Sequence, residues 1–106
     1  MSVTALTSKN FNNFVGTQGV VLVDFWADWC APCKAMLPVL EKASVKHAGK
    51  ISFGKVDIEE EGVLAGSQSI SSIPHFKLFK DGTLVGEVQG ALPPKAFEDF
   101  LEKHCG

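Results

Sequence analysis

Val20-Val21-Leu22-Val23-Asp24-Phe25-Trp26-Ala27-Asp28-Trp29-Cys30-Ala31-Pro32-Cys33-Lys34 is the stretch that decides the fold. Its opening run is short, apolar and β-branched, which suits a strand buried on both faces. Only Asp24 interrupts it. Pro32 fits the first turn of a helix, where its missing N–H leaves no bond unmade. A helix from there to about Lys46 places Cys33, Met36, Leu40 and Ala43 on one face, with Ala48-Gly49 as the stop. Pro38 falls inside that helix and is expected to kink it.

Outward from this unit, strands and helices alternate. Val3 to Leu6 reads as a short strand. Thr7 offers a helix cap, with Phe11, Phe14 and Val15 at helical spacing before Gly16 and Gly19. Ile51 to Ile58 is the next strand, and Glu59-Glu60-Glu61 is favourable charge for a helix start. Val63, Leu64 and Ala65 support that helix weakly, because Gly62 and Gly66 interrupt it. His75 to Lys80 and Thr83 to Val88 flank Asp81-Gly82, a strong hairpin signal. Pro93-Pro94 opens a last helix with Phe97, Phe100, Leu101 and His104 on one face. The order βαβαβαββα predicts an α/β fold, a central mixed β-sheet with helices on both faces.

A chain of 106 residues has room for one domain, read as residues 1–106, with a core that forms without disulfide staples. Hydrophobic residues at 45% and charged residues at 21% exclude bulk disorder. Ten basic against twelve acidic residues leave a formal charge of −2, so nucleic acid and anionic membranes are not expected partners. No apolar run approaches the ~20 residues that span a bilayer. The start, Met1 to Lys9, lacks the basic cluster and apolar stretch of a signal peptide, and a cytoplasmic location is expected.

Three cysteines are too few for a secreted disulfide scaffold. Cys105 reads as a free thiol near a frayed end. Cys30 and Cys33 leave two readings, redox chemistry or a metal half-site. Zinc would need two further ligands from the remote His47, His75, His104 and Cys105. The redox reading rests on position. Residues three apart across the first turn of a helix lie close enough for a disulfide to form. Cys30, at the helix N-terminus, faces unpaired N–H groups and the positive end of the dipole, which stabilise a thiolate. Cys33 lies one turn in, on the buried face. Asp24 in a buried strand should have a raised pKa, and beneath Cys33 it can take or return that thiol's proton through a water. Lys55 is the expected counter-charge, pulling that pKa back down.

The segment Val23 to Lys34 resembles the active-site segment of the thioredoxin family. The likeness continues through Pro38, Lys55-Val56-Asp57, Ile73-Pro74, Phe79-Lys80-Asp81-Gly82 and Gly90-Ala91, in unbroken register over nearly the whole chain. The resemblance implies the thioredoxin fold and a protein-disulfide reductase and electron carrier with no bound cofactor or metal. Cys30 would attack, Cys33 would resolve, and the two would form the redox disulfide, with Asp24 as acid/base and Lys55 as its partner. Pro74 would be a cis-proline, which sequence alone does not reveal. Trp29, Ala31, Pro32, Ile73, Pro74, Gly90 and Ala91 would dock client protein, and Trp26 would pack against the active-site loop. Electrons would come from NADPH through a flavoprotein thioredoxin reductase. Implied clients are peroxiredoxins, ribonucleotide reductase and methionine sulfoxide reductases, served by a monomer.

Some positions depart from the family pattern. Ala31 stands where Gly is usual, His75 where Thr is usual and Gln89 where Val is common, while Gln68-Ser69-Ile70-Ser71 replaces Tyr-Gly-Ile-Arg. Ala31 and His75 are expected to modulate the site. Two alternatives keep the fold but change the function: a scaffold subunit that needs no redox cycling, and an oxidase or isomerase.

Overall fold

A computed structural model describes residues 3–105, the side chain of Cys105 excepted. The elements are β1 (Val3–Ala5), α1 (Phe11–Val15), β2 (Val20–Trp26), α2 (Ala31–Lys46), β3 (Ile51–Asp57), α3 (Gly62–Ser67), β4 (His75–Lys80), β5 (Thr83–Gln89) and α4 (Pro94–Cys105). This is the expected order. Five strands form one sheet in the order β1-β3-β2-β4-β5. β3 runs parallel to β1 and β2, while β4 is antiparallel to both β2 and β5.

β2 is buried on both faces, as its composition requires. On one face Leu22 packs with Met36, Leu40 and Phe53, and with Phe97 and Leu101 of α4. On the other, Val21, Val23 and Phe25 pack with Phe11, Leu64 and Phe79. α2 and α4 therefore cover one side of the sheet, and α1 and α3 the other. Glu98 of α4 takes Lys46, at 3.2 Å, and His47 at the C-terminal end of α2, where the helix dipole favours basic partners.

Asp81 and Gly82 both adopt left-handed backbone, with φ of 51° and 85°, as a two-residue type I′ hairpin turn requires. Asp81 also ties the hairpin to the start of β2: its Oδ1 accepts the Gly19 N–H at 2.8 Å.

One local expectation is corrected. Thr7 does not cap α1; Asn10 holds that position without a side-chain cap bond. The Thr7 N–H instead donates to Asn10 Oδ1 at 2.7 Å, so residues 8–10 close a turn and the helix starts only at Phe11. The run Glu59-Glu60-Glu61 leads into α3 as expected: Glu61 is its N-cap, and the first turn itself carries no acidic residue. Asp57 Oδ1 accepts the Glu59 N–H at 2.9 Å and holds that run in a turn. The expectation for the Cys105 thiol lies outside the described residues.

Gly54 on β3 sits where a Cβ would meet Leu6 Cδ1 at 2.6 Å and Phe14 Cε2 at 3.0 Å. Gly54→Ala is therefore expected to destabilise the protein by ~1–3 kcal/mol, the usual range for overpacking. Urea unfolding checks this as a lower midpoint at unchanged slope.

Candidate active site around Cys30 and Cys33

β2 delivers its carboxyl end, through Ala27, Asp28 and Trp29, to the N-terminus of α2. Cys30 is the N-cap of that helix, in extended conformation at φ −94°, ψ 106°. Its Sγ accepts the Cys33 N–H at 3.2 Å. A sulfur thus takes the place that a capping oxygen usually fills, at the positive end of a 16-residue helix. Cys30 and Cys33 are joined as a disulfide, with Cα atoms 5.2 Å apart. Cys33 is fully buried and Cys30 nearly so, while Trp29 beside them is 64% exposed.

The two cysteines pack with Ala27, and Trp26, Ile58 and Ile73 close the cluster from outside. Ile73 arrives from the segment before β4, and the Ile73–Pro74 peptide bond is cis. The Pro74 carbonyl accepts the Gly90 N–H at 2.7 Å, which joins the residues after β5 to this segment. Ser72 Oγ donates to Gln89 Oε1 nearby. Of the expected docking residues, Trp29, Ala31, Pro32 and Ala91 are exposed, Ile73 and Gly90 are half-buried, and Pro74 is buried. Pro38 is not brought to the disulfide. α2 runs through it, and it lines a groove with Val39, Pro94 and Phe97.

Asp24 is completely buried. The alternation of β2 puts it on the side covered by α2, between Leu22, which packs with Met36 and Leu40, and Trp26, which packs with Cys33. Its place is thus beneath the first turns of α2. Neither carboxylate oxygen has a hydrogen-bond partner among the described residues. Burial raises its pKa from 3.8 to about 7, and the charge of Lys55 opposes the rise only in part.

Lys55 is the register partner of Asp24 on β3. Its Nζ lies 5.3 Å from the centre of the Trp26 ring, a cation–π distance. No ion pair joins Lys55 to Asp24 among the described residues. A cavity of about 450 Å³, lined by Lys55, Trp26, Asp28, Asp57 and Glu60, is roomy enough for water.

His75 comes directly after Pro74 but faces the other side of the sheet, edge-on to Phe25 at 6.3 Å between ring centres. It is buried, and its Nε2 meets Glu87 Oε1 at 2.8 Å. Sequence reasoning gave no role to Lys77, which is buried two residues further along the same face. The signal was available: Lys77 shares the phase of His75 and Phe79, an inward phase in a strand with period two. Among the described residues, no group of three or more His, Cys, Asp or Glu could hold a metal ion.

The thioredoxin family model matches residues 2–103. The chain is 39% identical over 104 residues to thioredoxin from Staphylococcus aureus, covering 98% of this chain and 99% of that one. The figures are the same for thioredoxin from Staphylococcus saprophyticus. A mutant thioredoxin from Halobacterium salinarum superposes with a TM-score of 0.89 at 29% identity, over 99% of this chain and 92% of that one. The chain belongs to the thioredoxin family.

As a thioredoxin, the chain is a protein-disulfide oxidoreductase that works by dithiol–disulfide exchange at Cys30 and Cys33. The family has no cofactor of its own and exchanges electrons with a reductase and with disulfide-bearing clients. No helix among the described residues is long and apolar enough to cross a membrane.

Acidity alone adds little to the speed of a thiol in disulfide exchange. Lowering a thiol pKa by 1.5 units from ~8.5 raises the thiolate fraction at neutral pH about fifteenfold. Nucleophilicity falls with pKa at a slope of ~0.4–0.5, which takes back about fivefold. The larger gain is the second cysteine held beside the first, because oriented intramolecular attack reaches effective molarities of ~10⁵ M or more.

Proposed function

We propose that this chain is a general reductant of protein disulfides in which Cys30 attacks and Cys33 resolves. The Cys30 thiolate attacks one sulfur of a client disulfide, forms a mixed disulfide and expels a client thiolate. Cys33 loses its proton toward Asp24 and attacks Cys30 Sγ. The Cys30–Cys33 disulfide forms, and the second client thiolate leaves and is protonated. Two electrons have passed to the client. The position of Cys30 Sγ at the N-cap of α2, with Cys33 one turn inside, is the observation that carries this assignment.

Trp29, Ala31, Pro32 and Ala91 form the exposed docking surface, with Ile73, Pro74 and Gly90 as its inner edge. A client backbone pairs there in extended form, beside Pro74. Trp26 braces the loop and holds Lys55. Ala31 and His75 tune the site, and Pro38 shapes α2. Electrons reach the dithiol from NADPH through a flavoprotein thioredoxin reductase. Clients are of the peroxiredoxin, ribonucleotide reductase and methionine sulfoxide reductase types. The protein works in the cytoplasm as a monomer and as one domain.

The test is a redox titration of the Cys30/Cys33 couple in thiol–disulfide buffers, read by alkylation and mass. A potential well below that of the glutathione pool is expected of a reductant. A potential at or above the pool would make the protein an oxidase or isomerase. The methyl of Ala31 is expected to shift the potential by no more than ~30 mV, equivalent to ~1.4 kcal/mol, against an Ala31→Gly variant.

A further inference from the structure

Lys77 is a lysine in the middle of a buried strand, 7% exposed, with no acidic partner among the described residues. Its Nζ donates to the main-chain carbonyl of Gln68 at 2.6 Å and lies 3.5 Å from Gln68 Oε1. Gln68 is the C-cap of α3. A lysine head group at a helix C-terminus satisfies carbonyls that the helix leaves unpaired. Here the donor comes from β4, nine residues away, so it also fastens the helix end to the sheet.

That fastening matters because the chain leaving Gln68 leads to the disulfide. Ser69 has a left-handed φ of 59° and turns the chain toward Ile73, which packs on the disulfide cluster. The far end of the segment is pinned to β5 and the residue after it: Ser72 to Gln89, the Pro74 carbonyl to the Gly90 N–H, and His75 Nε2 to Glu87 at 2.8 Å. The near end is fastened to the sheet by Lys77. His75 keeps its Nδ1 buried without a partner among the described residues. That arrangement costs stability.

We propose that Lys77, with the His75–Glu87 pair, is a positioning residue for client docking. It holds the 68–74 segment so that Ile73 and Pro74 present a fixed edge beside Cys30. The inference rests on the docking surface proposed above. It assigns to Lys77 the geometry of that edge and no part in the sulfur chemistry.

The test compares reduced Lys77→Met with the parent chain against two oxidants, insulin and the small aromatic disulfide dithiobis(nitrobenzoate). Lys77→Met is expected to raise the half-saturating insulin concentration by about 3–10-fold, the scale of losing one capping interaction. The limiting rate, the rate with the small disulfide and the redox potential should stay at parental values. Lys77→Arg, which keeps a donor at the carbonyl, should recover insulin docking. Unchanged insulin saturation overturns the proposal, and so does an equal loss against both oxidants. Should Lys77→Met fail to fold, Glu87→Ala removes the exposed half of the companion pair: raised insulin saturation alone supports the proposal, and parental behaviour overturns it. A parent chain that cannot reduce insulin overturns the docking reading itself, and this inference with it.

Discussion

Cys33→Ser protein, reduced and mixed with a disulfide-bearing client, is expected to accumulate as a covalent one-to-one adduct through Cys30. The tethered thiol that normally breaks the adduct is gone. External thiol at about 1 mM replaces a neighbour with an effective molarity of up to ~10⁵ M, so release should slow by up to ~10⁸-fold. Cys30→Ser is expected to do the opposite. Cys33 is fully buried one turn inside α2, so it meets no client, and neither adduct nor turnover should be found. Non-reducing gels and mass spectrometry separate the two outcomes. An unadducted Cys33→Ser protein, or full turnover by Cys30→Ser, would reverse the assignment. Activity surviving in the double variant would favour a scaffold that borrows the fold.

The second large effect lies in the pH dependence of stability. Burial raises the Asp24 carboxyl from 3.8 to about 7 in the folded protein. Between those values the native state keeps a proton that the unfolded chain has released. Stability therefore falls as pH rises through this window and levels off above pH 7. Three pKa units correspond to about 4 kcal/mol. Asp24→Asn removes this term, so its stability relative to the parent should improve by about 4 kcal/mol between pH 4 and pH 8. The buried amide of the variant adds its own cost, but that cost does not vary with pH. Urea midpoints across the range check the slope, and a constant difference between the two proteins would overturn the buried-acid reading. The same variant leaves Cys33 without its proton acceptor, and the resolving step should slow by about 10²-fold. Stopped-flow release of client thiol measures that step.

Cys30 and Cys33 were legible because their chemistry is local: two thiols across the first turn of a helix that Pro32 starts. The Asp81-Gly82 turn was legible for the same reason, since left-handed backbone at both positions selects those residues. Thr7 misled because a threonine before an apolar helical pattern also suits a turn, and the side chain of Asn10 settled which formed. Lys55 was visible as a charge near Asp24, yet its contact with the Trp26 ring depends on how two strands and a loop meet. Lys77 carried a signal in its strand phase, but its partner is a main-chain carbonyl, which no residue type announces.

The order of elements, the doubly buried β2, the hairpin and the cysteine pair at the start of α2 were determined by the sequence alone. Each depends on the conformational preferences of a few neighbouring residues, or on periodicity within one element. Tertiary structure decided the strand order β1-β3-β2-β4-β5, the absence of a hydrogen-bond partner for Asp24 among the described residues, the cis isomer at Ile73–Pro74 and the capping of α3 by Lys77. These depend on which groups distant parts of the chain bring together and on how far water is excluded. A carboxyl's pKa or a lysine's partner is a property of that enclosure, and it exists only once the sheet has closed around it.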